Sequence, residues 1–453
     1  MSKKAKYTLS GVAMAIVILA LAVWFFFFRG TSYVSSLPAD LQAVAQLDAH
    51  ALQQKAVFSL TEQQQKELES SGIDFVHPLY AFVDGHDSPG LLLPLRSARK
   101  FEAYLRSKDI QVERQRGYRW AQGTQWLMVF SDDRCLVRGP LSEQEMGQMR
   151  GLMVNLMRQS GKGDNPLLQR ITSSHAPVSA SFSIGLVQHL LARFYPDASS
   201  VFHGEQTGTV GMDVDFQDQR IVADVTLYDT GLGAGKSFLV PLDKPATLLR
   251  SMEGDFVLSM GVNGDALLTL LRSYPVVRTA MLAINFTFDL DQMVRAIQGD
   301  VNLSVLTDTG GERQVALAAQ FKDTRFRQSL SELTEDFYPL FEGGVEVVND
   351  STFSVGLSDG NLYTGLRGTR LVACTDQTYE ESILADVEEG RYTSREDVVG
   401  SLIYAQLDLK KLQKGHGVQT YLASHGLDLI DLVKQYGTFV LRVKASEETT
   451  EKE

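Results

Sequence analysis

"VLSMGVNGDALLTLL", residues 257–271, joins a strand to a helix at a single residue. Asn263 is the hinge, because an Asn side chain accepts the unused N–H groups of a helix's first turn. Val262 before it ends an apolar strand, and Leu267 four positions on lies on the inner face of an amphipathic helix.

The same unit recurs along the chain. "AVAQLDAHALQQKA" carries Asp48 and Leu52, "VSASFSIGLVQHLL" carries Ser183 and Val187, "AINFTFDLDQMVRAI" carries Asp289 and Met293, and "SLIYAQLDLKKLQK" carries Asp408 and Leu412. Leu47, Phe182, Phe288 and Leu407 stand before these caps as strand-ending residues. Between the junctions lie hairpins. "IVADVTLY" alternates with the period of a strand, while "WLMVFSDDRCLVRG" and "TFSVGLSDGNLYTGL" turn at Asp132-Asp133 and Asp359-Gly360. Five strand-to-helix junctions predict a duplicated architecture, and their uneven spacing excludes a solenoid. The fold class is α+β: an N-terminal transmembrane helix, then repeated strand–cap–helix units on mostly antiparallel sheets.

The N-terminus carries the other strong signal. "MSKKAKYTLSGVAMAIVILALAVWFFFFRG" sets Lys3, Lys4 and Lys6 before an uncharged run from Leu9 to Phe28. A run of that length spans about 30 Å as a helix, the thickness of a bilayer's hydrocarbon core. It ends in "WFFFF" without the small residues of a cleavage site, so an uncleaved anchor is expected. The lysines place the N-terminus in the cytoplasm. The expected location is the inner membrane, single-pass, with the bulk of the chain in the periplasm.

Polarity and turn composition set the expected boundaries. Residues 1–30 form the cytoplasmic N-terminus and anchor, and 31–36 a linker. A first α+β domain covers 37–165 and a second 166–390, divided within "RQSGKGDNP" at 158–166. A strand–helix–strand unit follows at 391–444, and 445–453 is a charged tail.

Net charge excludes one partner class. With a formal charge of −12 and no basic stretch, nothing in the chain suits nucleic acid. "DTGLGAGKSF", residues 229–238, imitates a phosphate loop, yet Thr230 stands where the first glycine belongs and "SFLVPLDKP" cannot be the helix that must follow. No nucleotide is expected. "GLSDG" at 356–360 imitates a hydrolase elbow, but its Asp359-Gly360 reads as a hairpin turn. Ser358 is then a turn residue.

The histidines show no zinc spacing. "HPLYAFVDGHD" brings His77, Asp84, His86 and Asp87 into one short region, the nearest approach to a metal-ligand set, although a surface turn accounts for Asp84, His86 and Asp87 equally well. No catalytic residue, metal or cofactor is expected. Met146, Met149, Met153 and Met157 fall on one helical face and read as core rather than as a ligand groove. Cys135 and Cys374 sit in strand-like stretches and read as small buried residues, with one long-range disulfide as the alternative.

"SSLPADLQAVAQLDAHALQQKAVF" resembles the start of a group of uncharacterised envelope proteins of Bacteroidota, which combine an anchor or lipoprotein signal, an "I-P-x-D-A"-like step and a capped strand. Pro38, Ala39, Asp40, Val44, Asp48, Leu52 and Lys55 stand at matching positions, and no acylatable Cys follows the apolar run as it does in the lipoprotein members. "GIDFVHPLYAFVD" and "GLSDGNLYTGL" resemble that group's short strands. The resemblance implies location and architecture and supplies no catalytic residues.

The expected function is therefore a non-enzymatic single-pass envelope protein with a periplasmic scaffold or binding body, its partners the membrane and an envelope protein. Two alternatives stand beside it: a periplasmic carrier of a lipid or other apolar ligand, and an unrecognised hydrolase or metal-dependent enzyme.

Overall fold

The computed structural model describes residues 32–55, 62–86, 88–159, 165–194, 208–217, 219–230, 237–242, 248–285, 289–307, 311–324, 345–349, 352–357, 360–393, 396–412 and 435–446. The run Leu9–Phe28 and the tail from 447 onward lie outside the described residues. Among the described residues no helix is long and apolar enough to cross a membrane. The chain divides into two compact units, Met1–Ile221 with Gly415–Tyr436, and Val222–Lys414 with Gly437–Glu453.

In unit 1, β1 (Leu41–Leu47) runs into α1 (Ala49–Gln54), and Asp48 Oδ1 accepts the Ala51 N–H at 2.8 Å. Then come α2 (Glu62–Ser70), β2 (Leu79–Asp84), β3 (Pro89–Pro94) and α3 (Ala98–Ser107). A meander of β4 (Val112–Gln115), β5 (Tyr118–Gln122), β6 (Leu127–Phe130) and β7 (Arg134–Arg138) follows. Next are α4 (Glu143–Arg158) and α5 (Pro166–Ser173). β8 (Val178–Ser183), α6 (Ile184–Phe194) and β9 (Thr209–Gln217) complete the unit. The strands lie in the order β9–β8–β1–β2–β3–β7–β6–β5–β4, every neighbour antiparallel.

β10 (Arg220–Tyr228) leads into unit 2, where β11 (Phe256–Asn263) is followed by α7 (Gly264–Ser273), α8 (Pro275–Asn285) and α9 (Leu290–Ala296). Two long strands come next, β12 (Ile297–Thr307) and β13 (Arg313–Phe321). β14 (Val345–Asn349), β15 (Thr352–Leu357), β16 (Gly360–Arg367) and β17 (Arg370–Cys374) form a second meander. α10 (Gln377–Glu389), β18 (Ile403–Asp408), α11 (Leu409–Leu412) and β19 (Thr438–Ala445) end the unit. The strand order is β19–β18–β11–β12–β13–β17–β16–β15–β14, again antiparallel throughout. Strand for strand, unit 2 repeats unit 1. In each, the two strands that enter a capped helix are paired: β1 with β8, and β11 with β18.

The caps act as their chemistry requires. Ser183 Oγ accepts from the Leu186 N–H at 3.2 Å, Asn263 Oδ1 from Asp265 and Ala266, Asp289 Oδ1 from Gln292 at 2.9 Å, and Asp408 Oδ1 from Lys410 at 2.8 Å. One junction differs from expectation. The chain before Asp289 is helical through Asn285, so Asp289 separates two helices rather than ending a strand; Phe288 itself lies outside the described residues. Pro275 supplies the fixed φ of a helix's first residue, and Met281 on the next turns is buried, which favours a helix over "AINF" as a strand.

Two segments read from the sequence as connections can be placed. Residues 158–166 fall inside unit 1, between α4 and α5, where Asn165 caps α5. Ser32–Ser36, expected within a linker, form a 3₁₀ turn that is part of the core: Tyr33, Val34 and Ser36 are buried. Tyr33 Oη donates to the Pro78 carbonyl, Ser35 Oγ donates to the Gln159 carbonyl at 2.9 Å, and Arg134 donates to Ser36 Oγ at 2.9 Å.

Candidate functional site

Among the described residues singled out by sequence, His77 stands apart from Asp84 and His86. His77 Nδ1 lies 2.7 Å from Asp74 Oδ2, before β2 begins. Asp84 ends that strand, about 20 Å away at the rise of an extended chain. It is buried against Arg138 and is saturated: both carboxylate oxygens contact the guanidinium, and Oδ1 also accepts the His86 N–H at 3.1 Å. His86 is exposed, and Asp87 lies outside the described residues. Among the described residues no group of three or more His, Cys, Asp or Glu side chains is placed to hold a metal.

The motif look-alikes follow their context. Residues 231–236 of the glycine-rich loop are outside the described residues, but Ser237 and Phe238 lead into a bridge between Leu239 and Val262, not into a helix. At "GLSDG" the register closes a two-residue hairpin, with Leu357 opposite Gly360; Ser358 and Asp359 lie outside the described residues. Met149, Met153 and Met157 are buried in unit 1. Cys135 and Cys374 are free and buried.

One set of buried polar side chains in unit 2 forms a connected network. Ser259 Oγ donates to Asn302 Oδ1 at 2.6 Å, Asn302 Nδ2 donates to Asp300 Oδ2 at 2.6 Å, and Arg370 clasps Asp300 with two bonds of 2.9 Å. Ser304 Oγ lies 3.1 Å from Tyr379 Oη, and burial raises the Tyr379 pKa to about 12. α10 lies on β16 and β17, and Ile383 and Leu384 join Ala316, Ala318 and Val372 in a sealed core. This is the covered face of the sheet.

The opposite face is apolar and only half-covered. Register fixes its middle row: Leu441 of β19 opposite Ala405 of β18, then Leu258, Leu303, Leu317 and Ala373 of β11, β12, β13 and β17. The row on one side carries Phe439, Leu407, Phe256, Val305 and Val315, and the row on the other Met260, Val301 and Ala319. Ala319 is buried, Val315 is 36% exposed and Leu317 38% exposed; the rest are intermediate. The covered side holds both an apolar core and the polar network, while this side leaves apolar side chains accessible, and it is the exposed apolar patch that is informative.

Unit 1 has a smaller counterpart. A cavity of about 180 Å³ is lined by Ala43, Ala45, Phe82, Ala180, Phe182 and Met212. That falls short of the roughly 300–1,000 Å³ of ligand pockets, so the face in unit 2 is the stronger candidate. Sequence reasoning missed it. The available signal was the double apolar pattern of "FVLSMGV", in which both alternating sets lack charge.

No protein-family model matches the chain, and no curated protein matches it. Among solved structures it is similar to TP0453. Crystal form I is 9% identical with a TM-score of 0.27, covering 43% of this chain and 76% of that one. Crystal form IV is 8% identical with a TM-score of 0.28, covering 78% and 95%. Crystal form III is 7% identical with a TM-score of 0.29, covering 79% and 99%.

Proposed function

We propose that the chain is a non-enzymatic, single-pass envelope protein whose body is a binding platform held against the membrane, with the N-terminus cytoplasmic and the body periplasmic. The observation that carries this reading is the burial of Tyr33–Ser36 in unit 1, shortly after an apolar run that ends at Phe28. Residues 29–31 reach about 10 Å when extended, so a bilayer holding the run also holds unit 1 close to its surface. The internal pairing of Asp84 with Arg138 and Asp300 with Arg370 supports a non-catalytic body. The apolar face of unit 2 favours an apolar ligand over a purely structural scaffold.

The test is fractionation with alkaline extraction, combined with a phosphatase fused to the C-terminus. Retention in the membrane pellet with an active phosphatase is expected, and deletion of residues 9–28 should release the chain. An extractable full-length chain, or an inactive fusion, would overturn the reading.

A further inference from the structure

We infer that the apolar face of unit 2 is a seat for a lipid acyl chain; the inference rests on the proposed membrane-tethered binding body. Three observations select this occupant over a protein surface.

The first is depth. The row Leu441, Ala405, Leu258, Leu303, Leu317 and Ala373 is mostly neither sealed nor fully exposed. A slender flexible chain can lie in such a shallow, partly recessed row without any matching relief of its own, which a protein surface would need.

The second is size. Strands β19, β18, β11, β12, β13 and β17 set the width, about 24 Å at ~4.8 Å between neighbours. An acyl tail spans about half of a ~30 Å hydrocarbon core, roughly 15 Å, which is close to the length of the face along its strands. Three side-chain rows reach about 14 Å along the strands, so the face offers a few hundred Å². A stable protein interface needs about 800 Å² per partner, which counts against a second copy of the chain.

The third is the shape of its two ends. At one end α9 closes the face, since Met293 and Ala296 pack with Val301, Ala319 and Leu371. The other end is polar. There Asp255 Oδ2 accepts the Thr307 N–H at 2.8 Å, Asp255 Oδ1 pairs with Lys411 at 3.0 Å, and Arg313 stands opposite Thr307. A tail on the face and a polar head at this end match an amphiphile. The apolar run Leu9–Phe28 brings the body to a surface made of such molecules.

The experiment uses the full chain in its own cells, with a benzophenone amino acid replacing Leu317. The control replaces Val347 of β14, which is apolar and 75% exposed and lies on the same side of the sheet but three strands beyond Ala373, past the polar Thr364 where the apolar row ends. Both positions are accessible, so neither replacement disturbs a packed core. After irradiation, adducts are identified by mass. Lipid adducts at position 317 and none above background at 347 are expected. Adding Val315→Glu should reduce the adduct at 317 at least about tenfold, because a charge against a hydrocarbon tail is strongly unfavourable. A crosslinked second copy at 317 would overturn the inference in favour of a self-interface. Absence of adduct, or equal adduct at 347, would also overturn it. Fractionation of the same cells separates this result from a failure of the membrane reading: a chain still in the membrane pellet without lipid at 317 refutes the seat alone.

Discussion

Arg138 of β7 reaches across β3 to Asp84 of β2, and both side chains are sealed from solvent. Arg138 also donates to the Ser88 carbonyl at 2.7 Å, and its guanidinium lies 4.5 Å from the centre of the Phe82 ring. Gly90 makes this stack possible, because a Cβ there would fall 2.3 Å from that ring. Unit 2 uses the same device on the equivalent strands, with Arg370 of β17 clasping Asp300 of β12 across β13.

Breaking the unit 1 pair from one side leaves a buried charge with no counter-ion. Arg138→Met should therefore destabilise unit 1 by about 3–5 kcal/mol, while Arg138→Met with Asp84→Leu should recover most of that loss. Trp120 and Trp126 both lie in unit 1, the third tryptophan, Trp24, lies in the apolar run and none lies in 222–414, so the change in tryptophan fluorescence in urea reads unit 1. A double variant no more stable than the single one would show that the charges are not the cause.

Gly365 of β16 is required by a close approach rather than by backbone conformation. A Cβ there would stand 1.9 Å from Glu380 Oε1 and 2.5 Å from Leu384 Cδ1. Gly365→Ala should push α10 off the sheet and cost unit 2 about 1–3 kcal/mol. Glu380→Ala in the same chain removes the nearer clash, so the two losses should not add. Hydrogen exchange of α10 and β16 peptides measures both, and simple additivity would refute the contact.

Glu380 is itself a source of pH dependence. Burial raises its pKa, only partly offset by the hydrogen bond from Thr352 Oγ1 at 3.1 Å and by Arg367, while Glu381 raises it further. The folded state thus holds a proton that the unfolded state releases. Above the ordinary value of 4.5 the unfolded state binds fewer protons, so this group lowers stability as pH rises until it ionises in the folded state too. Glu380→Gln should remove that decline and leave unit 2 at least as stable as wild type at pH 8. Thermal unfolding of both proteins from pH 5 to pH 8 tests it; parallel curves would mean Glu380 does not titrate anomalously.

Sequence revealed what is local and hid what is not. Asp48, Ser183, Asn263 and Asp408 could be read because a cap is a contact between neighbours. The repeated strand order was only implied, since pairing β3 with β7 or β13 with β17 depends on contacts far apart in the chain. The face in unit 2 was only ambiguously marked, for another reason. "FVLSMGV" gives no sign that Ser259 turns inward, because its partner Asn302 belongs to a different strand. Once Ser259, Asn302, Asp300 and Arg370 satisfy one another, the polar side can be buried and Leu258 is left facing out.

The two thiols report on the units separately. Cys135 of β7 and Cys374 of β17 are buried and free, and burial pushes both pKa values up, so neither presents a nucleophilic thiolate in the folded chain. Native protein should resist alkylation at both and show no disulfide on a non-reducing gel. Alkylation then requires opening, and its rate follows the opening free energy when closing is fast. Arg138→Met should speed labelling of Cys135 by about 100-fold for ~3 kcal/mol lost, with little change at Cys374. Gly365→Ala should do the reverse. Peptide mapping after timed iodoacetamide labelling distinguishes the sites. Equal acceleration of both cysteines by either variant would mean that the units open together, and that the core around each thiol does not set its protection.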